Sequence, residues 1–337
     1  LGNRFLYVSD LSLGRVVETP ADIIRSLQDF VTNQGSLDTA NASVLGYDFL
    51  VDGSNEIAAN IADSQLPLSD FLADGSTDPD TIPDNDGVTG GTAWDRLAAE
   101  AELIAAGQNA LISLNAHFDH YRALPADGDK VPGFTDNLIA TDVSAASVPI
   151  GGFAQTLIFS MGCHSGLAVP DSQIALTNTD WAQELTGTGA LYVGNTGFGY
   201  GDTEAVAYTE QLMANFAYNV SHPTDVNGQP TTVGQALTFA KNQYIAELAV
   251  LSVYDEKAVM ESTFYGLPFY RTALPTVALP APPTNVTTPD STGVPTVIAS
   301  ADPENTAVTG DRGTYYFNTG DDGNEQTIVA PGRPIQP

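Results

Sequence analysis

Short apolar segments alternate with amphipathic helical stretches along this chain, and this alternation constrains the fold more than any other feature. The apolar segments are short and end abruptly, as strands buried on both faces do. Strands that alternate with helices predict an α/β fold with a mostly parallel sheet covered on both faces. The clearest strands are predicted at residues 110–116, 156–161 and 190–193, and long helices at 203–219 and 231–250.

The N-terminal part of the chain continues the pattern. Thr19 is predicted to cap a helix that starts at Pro20, because proline is favoured at the first helical position and Asp22 places an acid in the first turn. Further strands are predicted at residues 4–15 and 44–51, and further helices at residues 56–63 and 94–107.

The composition excludes several classes of partner. The chain has 337 residues, with 11 basic and 41 acidic side chains and a formal net charge of −30. A surface this acidic repels phosphate backbones and anionic lipid headgroups, which argues against nucleic-acid and membrane-surface partners. No segment approaches the ~18 consecutive apolar residues of a membrane-spanning helix, so no membrane insertion is expected. The single cysteine, Cys163, excludes a disulfide framework and a zinc site built from cysteines.

A change in composition near residue 275 divides the chain. The sequence is 42% apolar, so a sizeable core is expected in a domain over residues 1–275. Residues 276–300 are rich in proline and threonine and predict a linker. Residues 301–337 contain a short β-like run and are predicted to be a partial β segment that leads to a further domain. The protein is therefore expected to have flanking domains in a longer precursor.

His117 and Cys163 each stand just past the end of a predicted apolar strand. Ligands of open α/β sheets bind beyond the carboxyl ends of the strands, so neighbouring strands would bring both side chains to one rim. A thiolate is a nucleophile, and a histidine can assist it and protonate a leaving amine. The glycines of residues 162–166 (Gly-Cys-His-Ser-Gly) let a substrate backbone approach and leave amides for an oxyanion. The alternative is that Cys163 is simply a small buried apolar residue.

These motifs resemble those of the gingipain family of cysteine peptidases, which belongs to the caspase-like clan with clostripain, legumain and separase. That family places the catalytic histidine after one hydrophobic strand and the cysteine after the next, as residues 111–117 and 157–166 do here. The resemblance covers about residues 5–272 and includes weaker matches at residues 10–15, 194–197 and 264–268.

The resemblance implies a caspase-like three-layer sandwich and a cysteine endopeptidase that hydrolyses protein or peptide substrates through a Cys-His dyad. Cys163 would attack the scissile carbonyl, and His117 would protonate the departing amine and help to activate water for deacylation. The backbone amide of Cys163, with that of Gly162 or Phe118, would hold the oxyanion. No cofactor is required for this chemistry.

Two residues depart from the family pattern. Phe118 follows the histidine where the clan usually has glycine, and it restricts the backbone that glycine would free. Leu267 stands where the family often has aspartate. These departures support an alternative function, a catalytically inactive or self-processing caspase-like module of a larger surface or assembly protein.

In the family that the chain resembles, the primary specificity pocket is built near the His and Cys loops and by the loop after the strand that follows the nucleophile, which implies a pocket at the same loops here. An aspartate in that loop would favour a Lys or Arg side chain in the substrate, which predicts cleavage after a basic residue. Asp202 is this candidate, but it is equally suited to cap the helix predicted from residue 203, and Asp70 and Asp74 are further candidates. The predicted pocket residues are Asn195, Phe198, Tyr200 and Asp202.

Three other histidines compete with His117 for the role of base. His120 lies three residues further on and either faces the site or pairs with Asp119 at the surface. His164 adjoins the nucleophile and is expected to be a structural hydrogen-bonding residue. His222 lies in a predicted loop and is expected to be solvated.

An acidic segment at residues 78–87 combines four carboxylates with a turn glycine. Hard oxygen ligands at close spacing suit a structural Ca²⁺ ion, and a solvated acidic loop is the alternative. Asp127 and Asp129 form a weaker second candidate. The predicted calcium ligands are Asp78, Asp80, Asp84 and Asp86.

The family resemblance, the aspartate-rich surface and the linker together predict an extracellular or cell-surface location.

Overall fold

The chain folds as two units, Leu1–Val277 and Ala278–Pro337. The computed structural model describes residues 9–17, 19–37, 41–47, 50–64, 66, 68–72, 94–105, 109–124, 137–145, 152–169, 179–202, 205–225, 228–272, 307–310, 313–319 and 326–329.

The first unit alternates strands and helices. Its helices are α1 (Pro20–Thr32), α2 (Val51–Ala62), α3 (Arg96–Glu100, continued by the π-helix Ala101–Ala105), α4 (Ala140–Ala145), α5 (Trp181–Gly187), α6 (Tyr208–Ser221), α7 (Val233–Glu247) and α8 (Val253–Glu261). Its strands are β1 (Ser36–Leu37), β2 (Asn41–Leu45), β3 (Leu68–Leu72), β4 (Asn109–Leu114), β5 (His117–Phe118), β6 (Arg122–Leu124), β7 (Leu138–Ile139), β8 (Leu157–Phe159), β9 (Leu191–Asn195), β10 (Ser262–Tyr265) and β11 (Arg271–Thr272).

A six-stranded sheet forms the centre of this unit, with the strand order β10-β9-β8-β4-β2-β3. The five strands from β9 to β3 are parallel, and β10 runs antiparallel to β9 at one edge. Strands β4 and β8 are direct neighbours, with Ile112 opposite Ile158 and Ser113 opposite Phe159. The predicted mixed α/β architecture with a mostly parallel sheet is confirmed.

Both faces of the central sheet are buried, because side chains of a strand alternate between its two faces. Leu157 and Phe159 of β8 lie in an apolar cluster with residues of α2, α6 and α7. Ile158, between them, lies in a second cluster with Trp181 of α5 and Leu103 of the π-helix. With both faces covered, the strand ends are the part of the sheet where a ligand can reach the chain.

Two smaller sheets complete the first unit. Strands β5, β6 and β7 form an antiparallel sheet that begins at His117, shortly after β4 ends. Strands β1 and β11 pair in parallel. The short sheet after β4 positions the predicted base.

The second unit contains an antiparallel meander. Its strands β12 (Ala307–Gly310), β13 (Gly313–Thr319) and β14 (Gln326–Val329) pair in sequence order. Strand β13 covers the predicted β-like run at residues 313–317.

Helix α1 begins as predicted. The Thr19 hydroxyl accepts a hydrogen bond from the Asp22 N–H at 3.2 Å, and the Asp22 carboxylate accepts from the Thr19 N–H at 3.2 Å. This reciprocal capping box satisfies two N–H groups that the first helical turn leaves without intrahelical partners.

Two predicted strands are wrong in their bounds. The strand predicted at residues 44–51 is β2, which ends at Leu45, and Val51 already begins α2 because the apolar pair Leu50 and Val51 is buried by the helix. Of the strand predicted at residues 4–15, the described part from Ser9 forms only an isolated parallel bridge between Arg15 and Tyr265.

Helix α6 begins later than predicted. It starts at Tyr208 with Ala207 as its N-cap residue, so Asp202 does not cap it. Within the described parts of the chain, no helix combines the length and apolar character needed to cross a membrane.

Candidate active site

The ends of β4 and β8 bring the predicted nucleophile and base to adjacent loops. Gly162, next to Cys163, packs on the ring of Phe118, next to His117: a Cβ at Gly162 would overlap that ring and lie 2.9 Å from the Ala116 carbonyl oxygen. The contact requires glycine for its small size. The two loops therefore meet at the same rim, as expected for neighbouring parallel strands.

The Cys163 thiol is half-buried beside the loop after β9. Its Sγ donates to the Gly199 carbonyl oxygen at 3.4 Å. Burial raises the pKa of the Cys163 thiol above its usual range, and the nearby Glu261 carboxylate raises it further. The free protein therefore holds this group as a protonated thiol.

Asn195 fixes the nucleophile loop, defined here as residues 160–166. Its side-chain amide donates to the carbonyl oxygens of Met161 at 2.9 Å and Gly162 at 3.1 Å, and its Oδ1 accepts from the Ser262 hydroxyl at 3.0 Å. Its backbone donates to the Ser165 hydroxyl at 3.2 Å. Asn195 is fully buried, so it does not line a substrate pocket as predicted. It is instead a positioning residue.

Asn115 holds the same loop from the other side. It is fully buried, and its Oδ1 accepts from the Met161 N–H at 3.1 Å. Its amide nitrogen donates to the Leu45 carbonyl at 3.0 Å and to the Ser113 hydroxyl at 2.8 Å. Asn115 thus joins the ends of β2, β4 and β8.

The nucleophile loop also packs backbone against backbone on β9. The Gly166 N–H donates to the Asn195 carbonyl at 2.9 Å, and a Cβ at Gly166 would lie 2.5 Å from the Gly194 carbonyl carbon. His164 has a φ of 56°, in the left-handed region, and its N–H donates to Gly197 at 2.6 Å. A non-glycine residue in this region is strained and is held by its surroundings.

His117 lies on a short hairpin. We define the histidine hairpin as residues 117–124, formed by β5 and β6. The His117 side chain is exposed, and its ring lies edge-on to Tyr47 with 4.9 Å between centroids. Asp119 stabilises the turn, since its carboxylate accepts from the Tyr121 N–H at 3.0 Å and pairs with Arg122 at 2.6 Å. The hairpin therefore presents the imidazole to solvent at the rim.

Gly162 and Phe118, the two alternative partners of the Cys163 amide in the predicted oxyanion site, differ in the availability of their N–H groups. The Gly162 N–H donates to the Ser160 hydroxyl at 3.0 Å, so it is already engaged and does not fit the predicted role. The Asp119 backbone N–H donates to the Arg122 carbonyl at 2.9 Å, and hydrogen-bonded and non-bonded pairs alternate along an antiparallel ladder. The next pair, Phe118 with Ala123, is then non-bonded, and the Phe118 N–H turns away from β6.

The loop after β9 carries the other predicted pocket residues. Phe198 is 55% exposed, and Tyr200 is half-buried. The Asp202 N–H donates to the buried Glu210 carboxylate at 3.0 Å. Burial, together with the Asp52 carboxylate, raises the pKa of Glu210 to about 9. A protonated Glu210 therefore supports this loop at neutral pH.

The other histidines lie in different settings. The His120 ring is edge-on to Tyr121 at 4.9 Å, and its carbonyl accepts from the Trp181 N–H. His222 ends α6 and stacks on Tyr218 at 4.3 Å. His164 contacts Phe198 at 4.6 Å, and its backbone is hydrogen-bonded as noted above.

The predicted calcium ligands Asp78, Asp80, Asp84 and Asp86 lie outside the described residues, as do Asp127 and Asp129. Among the residues with a described placement, no group of three or more His, Cys, Asp or Glu side chains is arranged to hold a metal ion.

Two residues of the site, Asn115 and Glu261, escape prediction from sequence. The available signal for Asn115 is an amide side chain directly after a buried apolar strand, the same signal that marks Asn195. Glu261 ends α8 far along the chain. Its carboxyl lies against Gly197, where a Cβ would be 2.5 Å from Glu261 Cδ.

No protein-family model matches the chain, and no curated protein matches it. Four chains of solved structures match. One of them, described as "Structure of Protease", has 10% sequence identity and a TM-score of 0.39, over 76% of this chain and 54% of that chain. The chain thus spans about half the length of that protein.

Proposed function

We propose that this protein is a cysteine endopeptidase with a caspase-like sandwich, in which Cys163 is the nucleophile and His117 the acid-base group. The observation that carries the proposal is the contact of Gly162 with Phe118 and Ala116. The contact joins the loops that follow β4 and β8, which are neighbouring parallel strands. Gly162 directly precedes Cys163, and Phe118 directly follows His117. The gingipain-like order of motifs supports the same assignment.

The reaction would proceed through a thioester. Cys163 Sγ bonds to the scissile carbonyl carbon while the thiol proton passes to His117, and the C–N bond breaks as His117 protonates the departing amine. His117 then takes a proton from water, the hydroxide attacks the thioester, and the thiol is restored. The raised pKa of Cys163 makes this proton transfer a necessary part of the attack.

The oxyanion would be held by the backbone N–H groups of Cys163 and Phe118. The Phe118 N–H turns away from β6, whereas the Gly162 N–H is bonded to Ser160. Preorganised backbone donors of this kind stabilise the charge that develops on the carbonyl oxygen. A phenylalanine after the histidine is therefore compatible with the chemistry, because only its amide takes part.

A peptide chloromethyl ketone followed by mass spectrometry tests the proposal. We expect one adduct on Cys163 of the folded wild type and a labelling rate reduced about 100-fold in His117→Ala, which removes the acid-base group. His222→Ala, at the end of α6, is the matched control and should label like the wild type. A folded wild type that stays unlabelled, or a His117→Ala variant that labels normally, contradicts the dyad.

One observation favours the alternative of an inactive or self-processing module. The thiol donates to Gly199 and is protonated in the free protein, a state that suits an unreactive cysteine. Intact mass distinguishes the alternatives. Self-processing alone predicts a cleaved wild-type chain and an uncleaved Cys163→Ala chain with no turnover of added peptides, and an inactive module predicts neither cleavage nor turnover.

We extend the proposal to the protein's surroundings. An extracellular or cell-surface location, flanking domains and a structural Ca²⁺ ion at Asp78, Asp80, Asp84 and Asp86 agree with the acidic sequence. A calcium site predicts a higher melting temperature with Ca²⁺ than with equal Mg²⁺, and loss of the difference in a variant with these four aspartates changed to asparagine. Equal melting temperatures would contradict it.

A further inference from the structure

A row of aromatic side chains borders the nucleophile. It begins in the loop after β9 and continues onto α8 and the start of α6. The ring centroids of Phe198 and Tyr200 are 6.4 Å apart, those of Tyr200 and Tyr254 5.1 Å, and those of Tyr254 and Tyr208 6.0 Å. Gly199, between the first two, accepts the hydrogen bond of the Cys163 thiol. Phe198, the first ring of the row, is therefore adjacent in sequence to Gly199, the hydrogen-bond partner of the reacting sulfur.

Two members of the aromatic row present their rings to solvent. Phe198 is 55% exposed and Tyr254 is 48% exposed. Aromatic rings are the side chains that gain most from being covered by an apolar partner, and neighbouring rings favour offset or edge-on contacts with a further ring. The geometry suits a bulky apolar side chain laid against the row.

The charges at the aromatic row disfavour a basic side chain. The Lys257 ammonium lies 5.5 Å from the Tyr200 ring centroid and donates to the Tyr200 hydroxyl at 3.0 Å. Burial raises the pKa of the nearby Glu261 carboxyl, while Lys257, His164 and the Phe198 backbone act in the opposite direction. A substrate Lys or Arg would meet a resident cation at this position, and like charges in contact reject the wrong ligand.

We propose that Phe198, Tyr200 and Tyr254 form the subsite for the residue that supplies the scissile carbonyl, and that this residue is aromatic or large and aliphatic. The inference rests on the proposed peptidase function and replaces the basic preference predicted from Asp202. Lys257 excludes basic side chains from the subsite, and the exposed faces of Phe198 and Tyr254 bind the apolar one.

Matched tripeptide chloromethyl ketones that differ only in the residue next to the ketone test the subsite. With the wild-type full chain, we expect the Phe and Leu reagents to label Cys163 about tenfold faster than the Arg reagent, the range available to one apolar side chain. Iodoacetamide, which carries no peptide side chain, measures the reactivity of the thiol itself.

Variants of the aromatic row separate recognition from reactivity. Phe198→Ala and Tyr254→Ala should each slow the Phe reagent about fivefold relative to iodoacetamide, and Lys257→Gln should speed the Arg reagent about threefold. Phe269→Ala removes a similarly exposed ring outside the row, and it should change the labelling rate of neither the Phe reagent nor the Arg reagent.

The outcomes distinguish the two proposals. Labelling by the peptide reagents with equal rates, or faster with Arg, overturns the subsite and leaves the peptidase proposal standing. Labelling by iodoacetamide alone overturns the peptidase proposal and the subsite with it. Equal loss of peptide and iodoacetamide labelling in Phe198→Ala would assign that ring to the packing of the nucleophile loop and overturn its role in recognition.

Discussion

The nucleophile loop and the histidine hairpin meet at one rim but are held in different ways. The nucleophile loop is fixed by two fully buried amides, Asn115 and Asn195, which bond its backbone from either side. The histidine hairpin is anchored by the buried side chains of Phe118 and Ala123 and by Asp119 in its turn, and it carries an exposed imidazole.

This difference indicates a division of labour. A buried hydrogen-bond network specifies one backbone geometry, because breaking any bond leaves a polar group without water. The apolar packing of Phe118 and Ala123 is not directional, and the exposed His117 side chain can change rotamer when a substrate enters. The sulfur is therefore placed by a buried polar network, whereas the base is an exposed side chain that can adjust.

Among the variants that test this contrast, Asn195→Ala should have the largest effect on the free energy of unfolding. It removes three side-chain hydrogen bonds, including those to the carbonyl oxygens of Met161 and Gly162. We expect a loss of about 3–5 kcal/mol in the free energy of unfolding, measured with denaturant. Asn60→Ala, which removes one bond to the Ala214 carbonyl, should lose only about 1 kcal/mol. Equal losses would show that the nucleophile loop is not specially fixed.

Glu210→Gln should stabilise the protein at alkaline pH. The pKa of Glu210 is about 9 when folded and near 4.5 when unfolded, so between these values the folded state holds a proton that the unfolded state has lost. Stability therefore falls as pH rises through this window. We expect the variant to gain on the order of 2 kcal/mol at pH 8 and nothing at pH 4, in denaturant titrations.

The control for this prediction is Glu56→Gln, an exposed position on α2, which should follow the wild-type pH curve. Parallel curves for the wild type and Glu210→Gln would show that Glu210 is ionised in the folded protein, and the support of the loop after β9 would need another explanation.

Gly162→Ala tests whether the two loops touch. The added methyl would overlap the Phe118 ring, and we expect a loss of about 2 kcal/mol in stability and slower labelling of Cys163 by a peptide chloromethyl ketone. Phe118→Leu in the same chain should restore part of both. Gly187→Ala, where a Cβ meets nothing within 4 Å, should cost no stability. If the effects of Gly162→Ala and Phe118→Leu on stability were additive, the two loops would not be in contact.

Asp119→Ala should have the smallest effect on stability and act on the histidine hairpin alone. We expect a loss of about 1 kcal/mol and a several-fold slower reaction with the peptide reagent, with iodoacetamide labelling unchanged. Asp22→Ala removes a comparable turn carboxylate from the α1 cap, with its Arg25 pair, and should lose similar stability without changing either rate. A change in iodoacetamide labelling would link the hairpin rigidly to the nucleophile loop.

The sequence predicts the central strands of this fold well. Strands β4, β8 and β9 are short apolar runs that end in polar or glycine residues, and a run of this kind has few alternatives to a buried parallel strand. The capping box of α1 is equally local, because all its bonds lie within four residues. Features that depend only on residues close together in the chain can be predicted from its sequence.

Other features depend on partners distant in sequence. Asn195 reads as a strand-end polar residue, but its burial depends on Ser262, 67 positions away. Strand β10 directly follows α8 and has no turn residues to separate it, so its antiparallel pairing with β9 is not evident locally. The end of β2 at Leu45 shows the same limit, since burial of Val51 at the start of α2 outweighs the preference of valine for strands.

The contact between Gly166 and Gly194 fixes the position of the nucleophile loop relative to β9. Two main chains touch there with no side chain between them, so neither partner has rotamers through which to absorb a displacement. Any shift of β9 along its own axis would carry the sulfur with it. The position of the Cys163 sulfur relative to a substrate therefore depends on the position of β9 in the sheet. A substitution at Gly166 or Gly194 would change that position as well as weaken the fold.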